Sequence, residues 1–317
     1  MGKEYVIDNN KIGSAIQYIR ESFHISQSKL CKGLCSITTL SRIEAGERDV
    51  DSFLLETLLE RLGKTPNQFE LILTDLDYEL YLSREEIKKK IGEKNNETAL
   101  SLLEEYELLA ASKGNVHMQF IITCKALLNE LNSGAIEDTI KLFLDAIACT
   151  VPGFKTKEIK HYYLSASEVN IIIDVTERMI TAGMTDQAKD LLLKVIEYLE
   201  GHDLIEEINR FYPRVAIIAS KLYIQEEELV RAFDMCTKGL LKNKGNRKMD
   251  YLGDLIYLKA YITEKLMRIQ GKWEQSRLEC IELYLQAYYV FYFSEDIDRA
   301  DKIKQYLQEE YKWEDIV

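Results

Sequence analysis

Proline and glycine are scarce in this sequence, at three and 15 of 317 residues. Together they make up about half the share usual in globular chains. So few chain breakers exclude collagen-like, disordered and turn-rich all-β classes, and they point to long helices. No apolar run reaches the roughly 18 residues that a membrane span requires. The first eight residues, Met1 to Asp8, lack the apolar core of a secretory signal. Catalytic signatures are also missing: there is no Gly-rich phosphate loop, no Gly-x-Ser-x-Gly and no His-Glu-x-x-His. The four histidines are scattered, and the six cysteines stand at 31, 35, 124, 149, 236 and 280. Cys31 and Cys35 have no second Cys or His pair nearby, so a zinc site is not expected and the cysteines are read as reduced, mostly packed thiols. The expectation is a cytoplasmic, all-α protein that is not an enzyme and carries no cofactor or metal.

Apolar residues make up 46% of the chain, enough for a buried core, and charged residues 30%. The net charge of −12 at first argues against a nucleic-acid partner. Its distribution says otherwise. Residues 1–66 carry nine basic and nine acidic side chains, so the whole −12 lies in residues 67–317. Between 11 and 48, six basic residues (Lys11, Arg20, Lys29, Lys32, Arg42, Arg48) face three acidic ones. A locally positive head joined to an acidic body is a domain signal.

In the head, Ile12, Ile16, Ile19 and Phe23 recur at the spacing of one helical face. Ser26 and Ser36 are N-caps of the second and third short helices, with Leu30 and Leu34, then Leu40 and Ile43, inward. Gly46 closes the third helix in the left-handed conformation. Asp51 opens a fourth through Leu54, Leu55, Leu58 and Leu62, ended by Gly63. Thr65-Pro66-Asn67-Gln68 reads as a capping box opening a fifth helix through Phe69, Ile72 and Leu73. A tight turn between the second and third helices is the helix-turn-helix layout. On the third helix, Ile37, Thr38, Ser41 and Arg42 fall opposite Leu40 and Ile43. Thr or Ile can contact a thymine methyl and Arg42 a guanine, so these four are the candidate base readers. Gln27, Lys29, Thr39 and Arg48 are the candidate phosphate contacts.

Ser26-Gln27 followed by Ser36-Ile37-Thr38-Thr39-Leu40-Ser41-Arg42-Ile43-Glu44-Ala45-Gly46-Glu47-Arg48 resembles the lambda-repressor/Cro-type (XRE) DNA-binding domain. The resemblance implies a five-helix fold, double-stranded DNA as partner, a pseudo-palindromic operator and a homodimer. It also implies that Glu44 folds back structurally instead of touching DNA. Asp49-Val50 departs from the proline common after this motif.

From about residue 78 the periodicity changes to long helices in pairs, near 78–91 and 97–111, 115–131 and 135–149, 165–182 and 184–200, 204–223 and 226–242, and 249–270 and 274–293, with a last helix at 296–312. Ala99, Thr139, Ala188, Ala232 and Cys280 occupy equivalent points, 40 to 49 residues apart, which is a loose helix-pair repeat. Ala182-Gly183-Met184-Thr185 and Gln270-Gly271-Lys272 are short turns within pairs. Glu168 through Leu192 resembles the degenerate tetratricopeptide repeats of the Rgg/PlcR/PrgX-type peptide-sensing transcription regulators. That resemblance implies a right-handed superhelix with a concave groove for a small signalling peptide, as in quorum sensing, with Asn170 as the leading clamp on the peptide backbone. In the next repeat Val215 to Ile218 replace the family's Asn, and Arg210 or Arg214 offers a charged contact. Tyr257 and Tyr261, one turn apart, complete the candidates. The aromatic stretch 284–293 is read as core beneath the last helix, or as a dimer surface.

The expected organisation is a DNA-binding domain over 1–66, a connecting helix over 67–77 and a repeat domain over 78–317. The expected function is a peptide-controlled transcription regulator. A regulator or adaptor whose repeats hold a protein partner is the alternative.

Overall fold

The structure is a computed structural model that describes residues 9–64, 71–72, 74–201, 210–245 and 249–313. Among them there are helices and turns but no strand. The chain divides into two compact units, residues 1–198 and 199–317.

The first unit begins with four helices: α1 (Asn9–Ser22), α2 (Gln27–Leu30), α3 (Ile37–Glu44) and α4 (Ser52–Arg61). Their starts follow the expected caps. Ser26 accepts from the Lys29 amide, Ser36 from the Thr39 amide, and Asp51 from the amides of Phe53 and Leu54, so otherwise orphaned helix-end donors are satisfied. Ile16, Leu30, Leu40, Ile43, Leu55, Leu58 and Leu62 form one buried cluster. Gly33, Gly46 and Gly63 all have φ near +70° to +80°, the conformation their turns require. Phe23 departs from the expected inward face. Helix α1 stops at Ser22 and His24 takes φ +55°, so the helical period is broken and Phe23 is left exposed. The expected capping box at 65–68 and Phe69 lie outside the described residues.

Helix pairs follow: α5 (Asp75–Gly92) with α6 (Asn96–Leu109), and α7 (Asn115–Leu131) with α8 (Ile136–Thr150). A 3₁₀ turn (Thr156–His161) leads to α9 (Ala166–Thr181) and α10 (Thr185–Gly201). Thr74 caps α5, which starts three residues before the pattern in the sequence suggested. The second unit contains α11 (Tyr212–Gln225), α12 (Leu229–Gly245), α13 (Leu252–Ile269), α14 (Trp273–Phe293) and α15 (Ile297–Tyr311).

Ala99, Thr139, Ala188, Ala232 and Cys280 are all completely buried, at 0% exposure. These small side chains sit in the second helix of each pair, where a large one would hold the neighbouring helices apart. The turns through Gly183 and Gly271 are left-handed, as the short connections require. In the last pair Tyr284, Tyr288 and Phe291 pack under Ala300, Ile303, Leu307 and Tyr311 of α15. Tyr289, Tyr292, Phe293 and Ile297 face solvent.

Candidate nucleic-acid interface

Helix α3 presents its N-terminal half outward. Ile37 is 52% exposed, and Thr38, Ser41 and Arg42 are exposed beside it, while Leu40 and Ile43 are buried behind. The four candidate base readers therefore share one open face. Lys29 and Arg48 are also exposed, and an Arg48 Nη1 hydrogen donates to the Thr39 hydroxyl at 3.4 Å. Thr39 is half-buried and its hydroxyl also meets that of Ser36 at 2.9 Å.

Gln27 is engaged within the chain. Its side-chain amide donates to Glu44 Oε2 at 2.7 Å, where a phosphate contact was expected. Glu44 is buried and also accepts from Arg20 Nε at 2.7 Å and Nη2 at 2.9 Å. A third guanidinium nitrogen, Arg20 Nη1, donates to the Ile25 carbonyl. One carboxylate thus ties α1, the start of α2 and the end of α3 together. Hydrogen bonding to Glu44, against the opposing effect of burial, holds the Arg20 guanidinium above its ordinary pKa.

The head is seated on the helix pairs of the same unit through both ends of α4. At its C-terminal end Arg61, buried, donates from Nε and Nη2 to the two carboxylate oxygens of Glu168, at 3.2 and 2.5 Å. Its Nη1 donates to the carbonyls of Leu30 and Lys32, at 3.1 and 2.8 Å, and its Nη2 also to that of Thr150, at 2.9 Å. Glu168 is completely buried and closes a capping box with Ser165 at the start of α9. Nearby, the Asn115 amide donates to the Gly33 carbonyl and the Ala166 N–H to Glu60. At the other end, Asp51 accepts from His117 Nε2 at 3.0 Å, with Lys113 at 3.8 Å, while His117 Nδ1 meets the Tyr106 hydroxyl at 2.6 Å. The Arg84 guanidinium lies 4.0 Å from the Phe53 ring centroid. Burial raises the Asp51 pKa, but the hydrogen bond and charge of His117, the Leu54 amide and Lys113 outweigh it, and the net shift is downward. Burial pushes the Tyr106 hydroxyl up to about 12.

None of these seating contacts was legible beforehand. Arg61 reads as a surface cation in the last turn of an amphipathic helix, where it complements the helix dipole. Its partner lies 107 residues away. The Ser165-x-x-Glu168 capping box was the available local signal, and it explains only half of what Glu168 does.

The peptide-binding candidates are distributed over both units. In the first, the Asn170 amide donates to Asp174, and Asp174 pairs with Arg178, which reaches Glu130 at 2.7 Å. In the second, Arg210 is exposed with its guanidinium 5.0 Å from the Phe211 ring centroid, and Arg214 is half-buried. Tyr257 is partly exposed and packs edge-on to Tyr284, and Lys265 lies over the Tyr261 ring. Burial raises the Tyr257 hydroxyl. A separate cleft of 260 Å³ in the second unit is lined by Glu200, Tyr212, Lys238, Leu241 and Lys242, and includes none of the candidates. Among the described residues no group of His, Cys, Asp or Glu could hold a metal ion, and no helix is long and apolar enough to cross a membrane. All six cysteines are free thiols, and burial raises those of Cys124 and Cys236 to about 12.

Residues 16–69 match the helix-turn-helix family. Solved structures give the rest of the frame. The crystal structure of Bacillus thuringiensis PlcR with the peptide PapR7 and DNA is 17% identical, spans 95% of this chain and 100% of PlcR, and has a TM-score of 0.56. The apo form of the same protein is 14% identical over 93% of this chain and 98% of its own, with a TM-score of 0.58. A putative transcriptional regulator from Listeria monocytogenes is 14% identical over 96% of this chain and 99% of its own, at 0.51. No curated protein matches the sequence. The chain carries a helix-turn-helix domain and, over more than nine-tenths of its length, shares the fold of PlcR.

Proposed function

We propose that this chain is a sequence-specific, DNA-binding transcription regulator controlled by a small peptide. The observation that carries it is the open N-terminal face of α3, with Ile37, Thr38, Ser41 and Arg42 directed away from the head's core. Leaving an isoleucine half in water forgoes about half of the 1.5–3 kcal/mol that its full burial is worth. The methyl-rich floor of a DNA major groove supplies that burial. Lys29 and Arg48 flank this face as phosphate contacts, with Gln27 and Thr39 as the proposed neutral phosphate contacts beside them. A head of this kind reads a pseudo-palindromic operator as a homodimer. The exposed aromatic face of Tyr289, Tyr292, Phe293 and Ile297 is the surface proposed for the two-fold contact.

The control arm rests on the shared fold with PlcR, whose crystal contains both a peptide and DNA. Asn170 in the first unit, and Arg210, Arg214, Tyr257 and Tyr261 in the second, are the residues proposed to bind the peptide. The head is assigned to 1–66, a connecting segment to 67–77 and the repeats to 78–317, in a cytoplasmic protein. Two measurements test the reading. Selection from a random duplex pool is expected to return a two-fold symmetric site, and failure to enrich any sequence would sink the DNA arm. Calorimetric titration with short peptides encoded beside the gene is expected to give saturable heat. Specific operator binding with no heat from any such peptide would favour a protein partner for the repeats.

A further inference from the structure

We infer that Arg61 and Glu168 are positioning residues that set the orientation of the DNA-reading head on the first helix pairs. The recognition helix is thereby carried as a fixed part of the first unit. A guanidinium has five N–H donors in a rigid planar fork, and here all five find acceptors: two carboxylate oxygens of Glu168, and the carbonyls of Leu30, Lys32 and Thr150. Those acceptors belong to three parts of the fold: the first turn of α9, the end of α2 with the turn after it, and the end of α8. A planar fork meets three such partners in one relative arrangement only. Rotating the head by a few degrees strands at least one buried donor, a penalty the chain avoids by holding still. A lysine, with three donors around a tetrahedral nitrogen, cannot make this pattern.

Two neighbouring contacts work in the same direction. Gly33, at the centre of the helix-turn-helix turn, lies so close to α8 that a Cβ there would overlap the Thr150 carbonyl, so backbone rests directly on backbone. The Asn115 amide then holds the Gly33 carbonyl itself, at 2.6 Å. The turn that aims α3 is therefore gripped by the helix pairs. The route from pairs to recognition helix crosses space at Arg61. A dimer reading two half-sites needs such fixity, since one added base pair moves a half-site by about 3.4 Å and about 34°.

The test uses the full chain and an apolar replacement of the pair, R61M/E168M, because exchanging a buried ion pair for packed apolar side chains often leaves a fold intact. R61K is the second variant, keeping the charge and losing the fork. Spin labels on p-acetylphenylalanine at Tyr18 in α1 and Leu108 in α6, both well exposed, leave the six cysteines untouched. With labelled protein diluted in unlabelled, the native chain is expected to give one narrow distance. R61M/E168M is expected to at least double its width, and R61K to fall between, with far-ultraviolet dichroism unchanged. Equal widths in all three folded proteins would overturn the inference; if R61M/E168M does not fold, R61K alone decides by the same criterion. A second arm rests on the DNA-binding reading: the selected operator is re-spaced by one and two base pairs. The native protein is expected to lose about tenfold or more in affinity per added pair, and R61M/E168M less than about threefold. Equal losses in both would also overturn it. If no operator can be selected, the DNA reading fails while the distance measurement still decides the role of Arg61.

Discussion

At the scale of single residues, the head depends on a buried carboxylate that never needs to meet DNA. Glu44 takes three hydrogen bonds from Arg20 and Gln27. Replacing it by alanine leaves the buried Arg20 guanidinium with only the exposed Glu21, 3.5 Å away, as counter-ion; breaking a buried pair outright typically destabilises by about 3–5 kcal/mol. E44A is therefore expected to lower the head's stability by several kcal/mol in urea titration; a loss below about 1 kcal/mol would contradict the geometry. Arg42 is the opposite case, exposed and without a structural task in the described contacts. R42A is expected to leave the thermal midpoint within a degree or two, and to weaken operator binding by about 1–3 kcal/mol with relaxed preference at one base pair. These two residues show what a sequence can and cannot tell. The exposure of Arg42 follows from helical period alone. The back-folding of Glu44 followed only from family resemblance, and the grip of Gln27 on it was hidden because an N-terminal glutamine looks equally suited to a phosphate.

Among the elements, almost every helix of the body was legible, because most alternate buried and exposed positions at 3.6 residues; α9 and α11, buried over the continuous runs 171–176 and 215–220, are the exceptions. The five small side chains from Ala99 to Cys280 marked the pair crossings in the sequence and are fully buried in the structure. What periodicity cannot reveal is how elements meet end-on, and α4 is held by its ends. Gly33 belongs to one such contact. Alanine there faces both φ +78° and the Thr150 carbonyl, so G33A is expected to destabilise by more than the roughly 1 kcal/mol that a left-handed glycine position alone would cost. A calorimetric melt that moves by less than a degree would refute the close approach. Asp51 holds the other end. Its folded pKa lies below the ordinary aspartate value, so its contribution is complete above that ordinary value and is lost as pH falls through the folded one. D51N keeps an N-cap but cannot titrate. Its urea midpoint is expected to fall less between pH 5 and pH 3 than that of the native chain, and parallel curves would reject the assignment.

For the molecule as a whole, the charge belongs to two different tasks. Residues 67–317 hold the entire −12, and the span 11–48 is locally positive. Acidic repeats repel DNA and so keep non-specific adhesion low, leaving attachment to the head. If each head contributes the proposed Lys29 and Arg48, a dimer neutralises about four phosphates, and log K against log salt is expected to fall with a slope of about −3.6. K29A or R48A, removing two charges per dimer, is expected to reduce that slope by about 1.8. A slope unaffected by either would place the phosphate contacts elsewhere. The total charge, taken alone, would have led away from DNA altogether.

The two seats of α4 respond differently to acid. Three of Arg61's five acceptors are backbone carbonyls, which do not titrate, whereas the contact at the other end runs through the Asp51 carboxylate and the His117 imidazole. The Arg61 end therefore keeps its backbone partners as acid is added, while the Asp51 end lets go once its carboxylate takes a proton. Acid loosens one seat while the other still holds the head's orientation, so stability should fall in a first step, before operator binding and helicity are lost.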